Sequence, residues 1–240
     1  MGLVLGLLGG GGSMLTVPIL VYVLGIEAHS AISLSLILVG GTALLAALLY
    51  HQQARVAWKQ GLLFVCFGTP LNFLGAYVSW RVSGTLLLLL FGVLMGVAGT
   101  AMLRKRSNPD DFAKLQTIWP VVISGAAVGF LAGFLGVGGG FLIVPSLVLF
   151  LYMPMKLATG TSLLIIAANS TVSLFGHRQS LQVPWILVME LVPPALLATF
   201  LGVKLSGKFS GPQLRKAFGA FVILLGVFMI ASNAATLFRR

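Results

Sequence analysis

The chain has little charge and almost none of one sign. Of its 240 residues 8% are charged, and only Glu27, Asp110, Asp111 and Glu190 are acidic. Soluble domains carry roughly 25% charged residues, so a chain that is 58% hydrophobic cannot clothe itself in water, and lipid is the solvent that tolerates it. So few carboxylates also speak against a carboxylate-rich cation or metal site. Cysteine is nearly missing: Cys66 stands by itself inside an apolar run, so no internal disulfide can form, and no Cys/His spacing suits a metal. There is no Gly-x-x-x-x-Gly-Lys-Ser/Thr loop to cradle ATP. Nor is there a Ser/His/Asp set, a carboxylate pair or a zinc constellation, which leaves an intramembrane enzyme remote and implies no cofactor. The opening Met1–Leu8 is apolar but short, without the basic leader or small-residue cleavage site of a secretion signal.

What is present are long uncharged stretches: Ala28–Ala54, Gln60–Trp80, Val82–Leu103, Leu115–Met155 and Ala217–Phe238. A spanning helix needs about 20 predominantly apolar residues, so several of these cross the bilayer once and Leu115–Met155 is long enough to cross twice. The net charge of +11 does not point to nucleic acid, because the basic residues cluster at the ends of apolar segments, as in membrane proteins.

The chain also repeats itself, without gaps, at an offset of 127 residues. Gly6-Leu-Leu-Gly-Gly-Gly-Gly12 through Val17-Pro18 matches Gly133-Phe-Leu-Gly-Val-Gly-Gly139 through Val144-Pro145. The same offset pairs Ser35 with Ser162, Gln52 with Gln179, Trp58 with Trp185, Gly75 with Gly202, Gly92 with Gly219 and Gly99 with Gly226. Matches of Gly, Trp and Gln in register are not what chance similarity between apolar segments produces. The reading is an all-α polytopic membrane protein: a first transmembrane repeat, 1–103, a cytoplasmic linker, 104–118, and a second repeat, 119–240. Each repeat has about five helical segments, the opening one of the first repeat being short by about two turns. An odd number of segments implies halves of opposite direction. Inverted halves place 11 Lys and Arg on one side and 4 on the other, whereas parallel halves place 9 and 6. Positive residues favour the cytoplasmic side, so inversion is preferred.

The glycine clusters Gly9–Gly12 and Gly136–Gly140 occupy corresponding places. Glycine within a helix costs about 1 kcal/mol relative to alanine, so each cluster is read as a break: Met1–Leu8 from Gly12–Leu24, and Trp119–Leu135 from Gly139–Met153. Irregular backbone at membrane depth survives where protein or a wet cavity satisfies it, and paired broken helices of inverted repeats commonly hold a transporter's substrate. The second helix of each pair starts at the glycines, so bare N–H groups and a positive dipole end face the break. That environment suits an anion. Close helix packing is the alternative use of such glycines. The substrate-binding candidates are therefore Gly10, Gly11, Gly12 and Ser13 from the first half and Gly138, Gly139 and Gly140 from the second, with Thr16 as a further hydroxyl.

Thr161, Ser162 and Asn169 join them from Thr159-Gly-Thr-Ser162 and the turns that follow. Residues 162, 166 and 169 share a helical face, so Ser162 and Asn169 are expected to face one cavity, although Ser and Thr in membrane helices often only bond back to their own helix. His177 and Arg178, and Tyr50 and His51 at the matching positions, read as interfacial, with Arg178 also placed to attract an anion at a pathway mouth. Glu190 lies in an apolar span, where a carboxylate is a functional suspect; it either carries a coupling proton or sits near the interface with a basic partner. Asn72 reads as a packing contact.

The doubled glycine-rich pattern ending in Val17-Pro18 and Val144-Pro145, Ala158-Thr-Gly-Thr-Ser162, and the Trp58 and Trp185 positions together resemble the sulfite exporter TauE/SafE family, also called the toluene-sulfonate uptake permeases. The resemblance covers essentially the whole chain. It implies a multi-pass inner-membrane permease with about eight spans for small sulfur-containing anions such as sulfite or organosulfonates. The chain departs from the family in its shortened opening helix and in Ile32-Ser-Leu-Ser35, where the second half has the fuller Thr-Gly-Thr-Ser. The expected partners are a small anionic substrate and the lipid bilayer, with no nucleic acid and with homo-oligomerisation left open. The competing readings are an anion channel and a membrane-embedded structural subunit of a larger complex.

Overall fold

A computed structural model describes residues 1–79, 81–82, 84–104, 118–135, 140–176 and 185–237. Among them every regular element is helical: α1 (Gly2–Leu8), α2 (Gly11–Pro18), α3 (Ala28–Gln52), α4 (Trp58–Ser79), α5 (Gly84–Arg104), α6 (Trp119–Leu135), α7 (Gly140–Leu149), α8 (Met155–Gly176), α9 (Trp185–Ser206) and α10 (Gly211–Leu237). Backbone donors and acceptors cannot go unpaired in lipid, and a helix pairs them internally. Among the described residues five helices are long and apolar enough to cross a bilayer, within α3, α4, α8, α9 and α10. The shorter α6 and α7 are equally apolar, and every residue of α7 from Gly140 to Val148 is buried. The 104–118 linker lies, apart from its two ends, outside the described residues. After Pro18, which has no N–H to donate, α2 continues as a π turn over Ile19–Val23.

Glycine sets the packing by allowing backbones to touch. α6 lies parallel to α4, with Gly125 on Phe64, Gly129 on Gly68 and Gly133 on Asn72. α1 lies parallel to α9 in the same manner. Gly75 faces the carbonyl of Phe130 and the N–H of Phe134, while Gly202 faces the carbonyl of Leu3 and the N–H of Leu7; each partner is displaced by the repeat offset. Thus the opening helix of each half packs on the fourth long segment of the other. The remaining long helices pair with their own counterparts, running antiparallel: Gly92 meets Gly226 and Gly99 meets Gly219 between α5 and α10, and Gly40 meets Ser170 while Gly160 meets Tyr50 between α3 and α8.

The exposed surface carries Leu62, Phe67, Phe73, Met189, Leu197, Leu224 and Phe228, whereas the buried polar groups among the described residues are Ser and Thr apart from Tyr50. Charge is segregated by end. The last turns of α3, α5 and α9 and the first turns of α4, α8 and α10 gather together: Tyr50 reaches Ser206, Gly160 abuts Arg55, Gly211 faces Met155 and Gly219 faces Leu103. Arg55, Lys59, Arg104, Lys156, Lys204, Lys208, Arg215 and Lys216 lie at this basic end; Arg81, after α4, lies at the other.

Tyr50, expected at an interface, is instead only 1% exposed. Its hydroxyl donates to the Gly6 carbonyl at 3.0 Å and lies 2.7 Å from the Ser206 hydroxyl, tying α1 and α9 to α3. The end of α3 is thus covered by two helices that are remote in sequence. His51 does face outward, accepting from Trp58 Nε1 at 2.9 Å. Tyr50→Phe strands the Gly6 carbonyl in the core, and a loss of about 1–3 kcal/mol is expected, read as a lower melting temperature in detergent.

Candidate substrate site

The first glycine cluster is a chain reversal. Gly9 has φ of 80°, a conformation open to glycine but strained for residues with a Cβ. A side chain there would also meet the Ser162 hydroxyl at 2.6 Å. The chain then doubles back so that Gly12 lies on Leu5. Met1 and Leu20, at the two open ends of this hairpin, share one apolar cluster with Ala31, Leu34, Val188 and Ala195. Gly10 is the N-cap of α2, with no side-chain cap. Gly11 and Gly12 form its first turn with Ser13, leaving the N–H groups of that turn without intrahelical acceptors.

The second half brings its own helix start to the same place. Gly140 opens α7, and a Cβ on Gly140 would strike the Ser13 hydroxyl and lie 3.2 Å from the Gly10 carbonyl and 3.5 Å from Ile166 Cδ1. A Cβ on Gly10 would land on the Gly140 carbonyl. Ile166 belongs to the middle of α8, so the two helix starts meet about halfway along a spanning helix. Gly138 and Gly139 lie outside the described residues, as do His177 and Arg178.

About one turn from this meeting point is a crevice lined by Phe64, Gly68 and Asn72 of α4, Val128, Gly129 and Ala132 of α6, Ile143 of α7 and Asn169 of α8. It has room for about one water molecule. The Thr69 hydroxyl donates to Asn169 Oδ1 at 3.2 Å, so the amide keeps its two N–H donors for other partners. The residues one repeat away from Asn72 and Asn169 are Thr199 and Thr42, both buried and both donating to carbonyls of their own helices. The amide pair is therefore a feature of one side of the molecule.

Of the two residues expected to face one cavity, Asn169 lines this crevice and Ser162 does not. Two turns separate them, and Ile166 fills the gap against Gly140. Ser162 is fully buried, donates to the Thr159 carbonyl at 2.8 Å and seats the Gly9 reversal. Thr161 points elsewhere, accepting the Ala57 N–H at 3.0 Å and fixing the start of α4. Ser13 and Thr16 spend their protons on the Gly10 and Gly12 carbonyls. Any anion near α2 is thus met by backbone N–H groups in preference to these hydroxyls. Asn72, read as a packing contact, lines the crevice; the signal was an unpaired amide in an apolar span, where a partner or a ligand is required.

Glu190 is exposed, on the far side of α9 from its buried stripe of Val188, Ala195, Thr199 and Gly202. Its neighbours in sequence, Leu187 and Leu191, pack in the cluster with Met1, at the opposite end of α1 from Gly10. Glu190→Gln is expected to leave flux within about twofold of wild type, as for surface substitutions generally, in a reconstituted transport assay.

The family pattern described as Sulfite exporter TauE/SafE matches residues 1–229. The chain belongs to the TauE/SafE family. A TauE/SafE relative from Xylella fastidiosa (strain 9a5c), described as a "Probable membrane transporter protein", is 35% identical over 243 residues, covering 98% of this chain and 93% of its own. The "Probable membrane transporter protein YunE" of Bacillus subtilis is 29% identical, with 93% and 91% covered. A similarly described protein of Methanocaldococcus jannaschii is 24% identical, with 95% and 92% covered. No solved structure matches the chain. As a TauE/SafE protein it is a multi-pass membrane transporter and not an enzyme.

Proposed function

We propose that this TauE/SafE protein carries a small oxyanion, of the sulfite or organosulfonate type, across the cell's inner membrane by alternating access around the meeting point of α2 and α7. The observation that carries this reading is the approach of Gly10 and Ser13 to Gly140, two helix starts facing one place in a core whose described polar groups include no carboxylate. Bare N–H groups and two positive dipole ends there favour negative charge. A cation would find carbonyls and hydroxyls but, among the described residues, no carboxylate to neutralise it, since Glu27 and Glu190 are both exposed. Asn72 and Asn169 add neutral donors that suit an oxyanion's several acceptors. Because the crevice holds about one water, an oxyanion enters only when α4 and α6 move from α7 and α8. That motion is what alternating access between two halves supplies. The antiparallel pairing of corresponding helices supports inverted halves, and the basic end supports a cytoplasmic placement for the last turn of α3 and the first turn of α8.

The test is flux into proteoliposomes of sulfite, thiosulfate, sulfoacetate and non-sulfur anions, with and without a pH gradient, against sodium and a neutral solute. Saturable uptake of a sulfur oxyanion is expected. Movement of cations or neutral solutes alone would overturn the reading, and non-saturating flux would replace the carrier with a channel.

A further inference from the structure

We infer that Arg55 forms a second oxyanion station, at the basic end of the bundle, which takes the substrate on its way to the central crevice. The inference rests on the proposed oxyanion transport and adds a binding site that the central geometry does not require.

The backbone around Arg55 is fixed from both sides. Its N–H donates to the Tyr50 carbonyl at 3.0 Å, and Ala54 before it turns with φ of 54°. Its carbonyl lies against Gly160 of α8 so closely that a Cβ on Gly160 would strike it. Two residues on, the Ala57 N–H is held by Thr161 Oγ1 at 3.0 Å. The side chain is half-buried, and its Nη1 is enclosed without a hydrogen-bond acceptor among the described residues. An enclosed N–H group without an acceptor is costly, and more so when the group is charged. Glu27 precedes α3 and Arg55 follows it, so the whole length of that helix separates them. Glu190 lies near the Met1 end, whereas Ser206 on the same helix reaches Tyr50. Asp110 and Asp111 lie in the linker outside the described residues.

An acceptor-rich anion would supply that partner, since a planar guanidinium matches an oxyanion through two parallel hydrogen bonds. The neighbouring elements lead inward. Gly160 and Thr161 beside the Arg55 loop adjoin Ser162, which seats Gly9, and Gly10 follows at the meeting point with Gly140. An anion held at Arg55 thus lies at the outer end of a line of α8 residues that runs to the central site. Sulfite in solution and a lipid phosphate share the required chemistry, and the experiment separates them.

Initial flux of sulfite against concentration is measured for wild type, Arg55→Lys and Arg55→Gln in vesicles of phosphatidylcholine alone and with phosphatidylglycerol added. Sulfite-induced shifts in melting temperature are recorded for the same proteins in detergent. The expected result is a KM raised at least about tenfold in Arg55→Gln with kcat within about threefold, a partial return in Arg55→Lys, and a smaller sulfite-induced shift in Arg55→Gln, in both lipids. An unchanged KM and an unchanged sulfite shift in Arg55→Gln overturn the station. So does an unchanged KM with loss of a phosphatidylglycerol-dependent stabilisation, which assigns Arg55 to a headgroup. The same KM rise in the joint Asp110→Asn, Asp111→Asn variant also overturns it, since the linker is then the partner. If wild type moves no oxyanion yet keeps an Arg55-dependent sulfite shift, the transport reading fails and the station stands.

Discussion

Gly10→Ala will abolish transport, and it will do so where Gly11→Ala and Gly41→Ala do not. A methyl on Gly10 falls on the carbonyl oxygen of Gly140, a backbone atom in the first turn of a helix buried along nearly all its length. Backbone cannot rotate aside as a side chain can, so the two helix starts must part. Overpacking of a core usually costs about 1–3 kcal/mol, and the contact displaced is the centre of the proposed site. At Gly11 the same methyl meets the Phe221 ring at 3.1 Å, which can tilt, and at Gly41 it meets nothing within 4 Å. The comparison is read as sulfite flux per folded protein, with folding followed by fluorescence-detected gel filtration. Activity in Gly10→Ala equal to that of Gly41→Ala would show that the halves need not meet there for transport.

Asn72→Leu and Asn169→Leu form the second pair of large effects. Each removes the amide donors from the crevice while keeping the same branched side-chain frame. A hydrogen bond to a charged ligand contributes about 1.5–3 kcal/mol, so each variant is expected to lower kcat/KM by at least about tenfold. Thr69→Val, which frees Asn169 Oδ1 but leaves both amides in place, should cost less. The converse substitutions, Thr42→Asn and Thr199→Asn on the other side of the molecule, should not rescue the loss. Wild-type kcat/KM in both leucine variants would remove the crevice from the pathway and leave only the backbone N–H groups of α2 and α7. The melting temperature of each variant separates loss of binding from loss of fold.

The reading of a repeat rests on glycine, proline and tryptophan matching in register, residues rarely interchangeable in a membrane. The break at Gly9–Gly10 was legible for the same reason, since four consecutive glycines oppose a continuous helix. Ser162 and Asn169 lie two turns apart on one helix, and the crevice takes only Asn169. Helical periodicity reports direction around an axis, but not what stands between two turns, and here it is Ile166 against Gly140. Thr161 and Tyr50 illustrate the same gap. Each was polar and near a segment end, yet their partners, the Ala57 N–H and the Gly6 carbonyl with Ser206, come from helices that only folding brings near.

Composition by itself determined the solvent, the helical class and the sign of the charge at each end, because those follow from how many residues of each kind a segment holds. Which glycines touch, that α1 crosses to α9 and α6 to α4, and that Asn72 joins Asn169 across a gap the size of a water, were decided only in three dimensions. Two halves of related sequence offer each helix a choice between its own repeat and the other. That choice is settled by the fit of backbone against backbone at distances where a single methyl group is excluded.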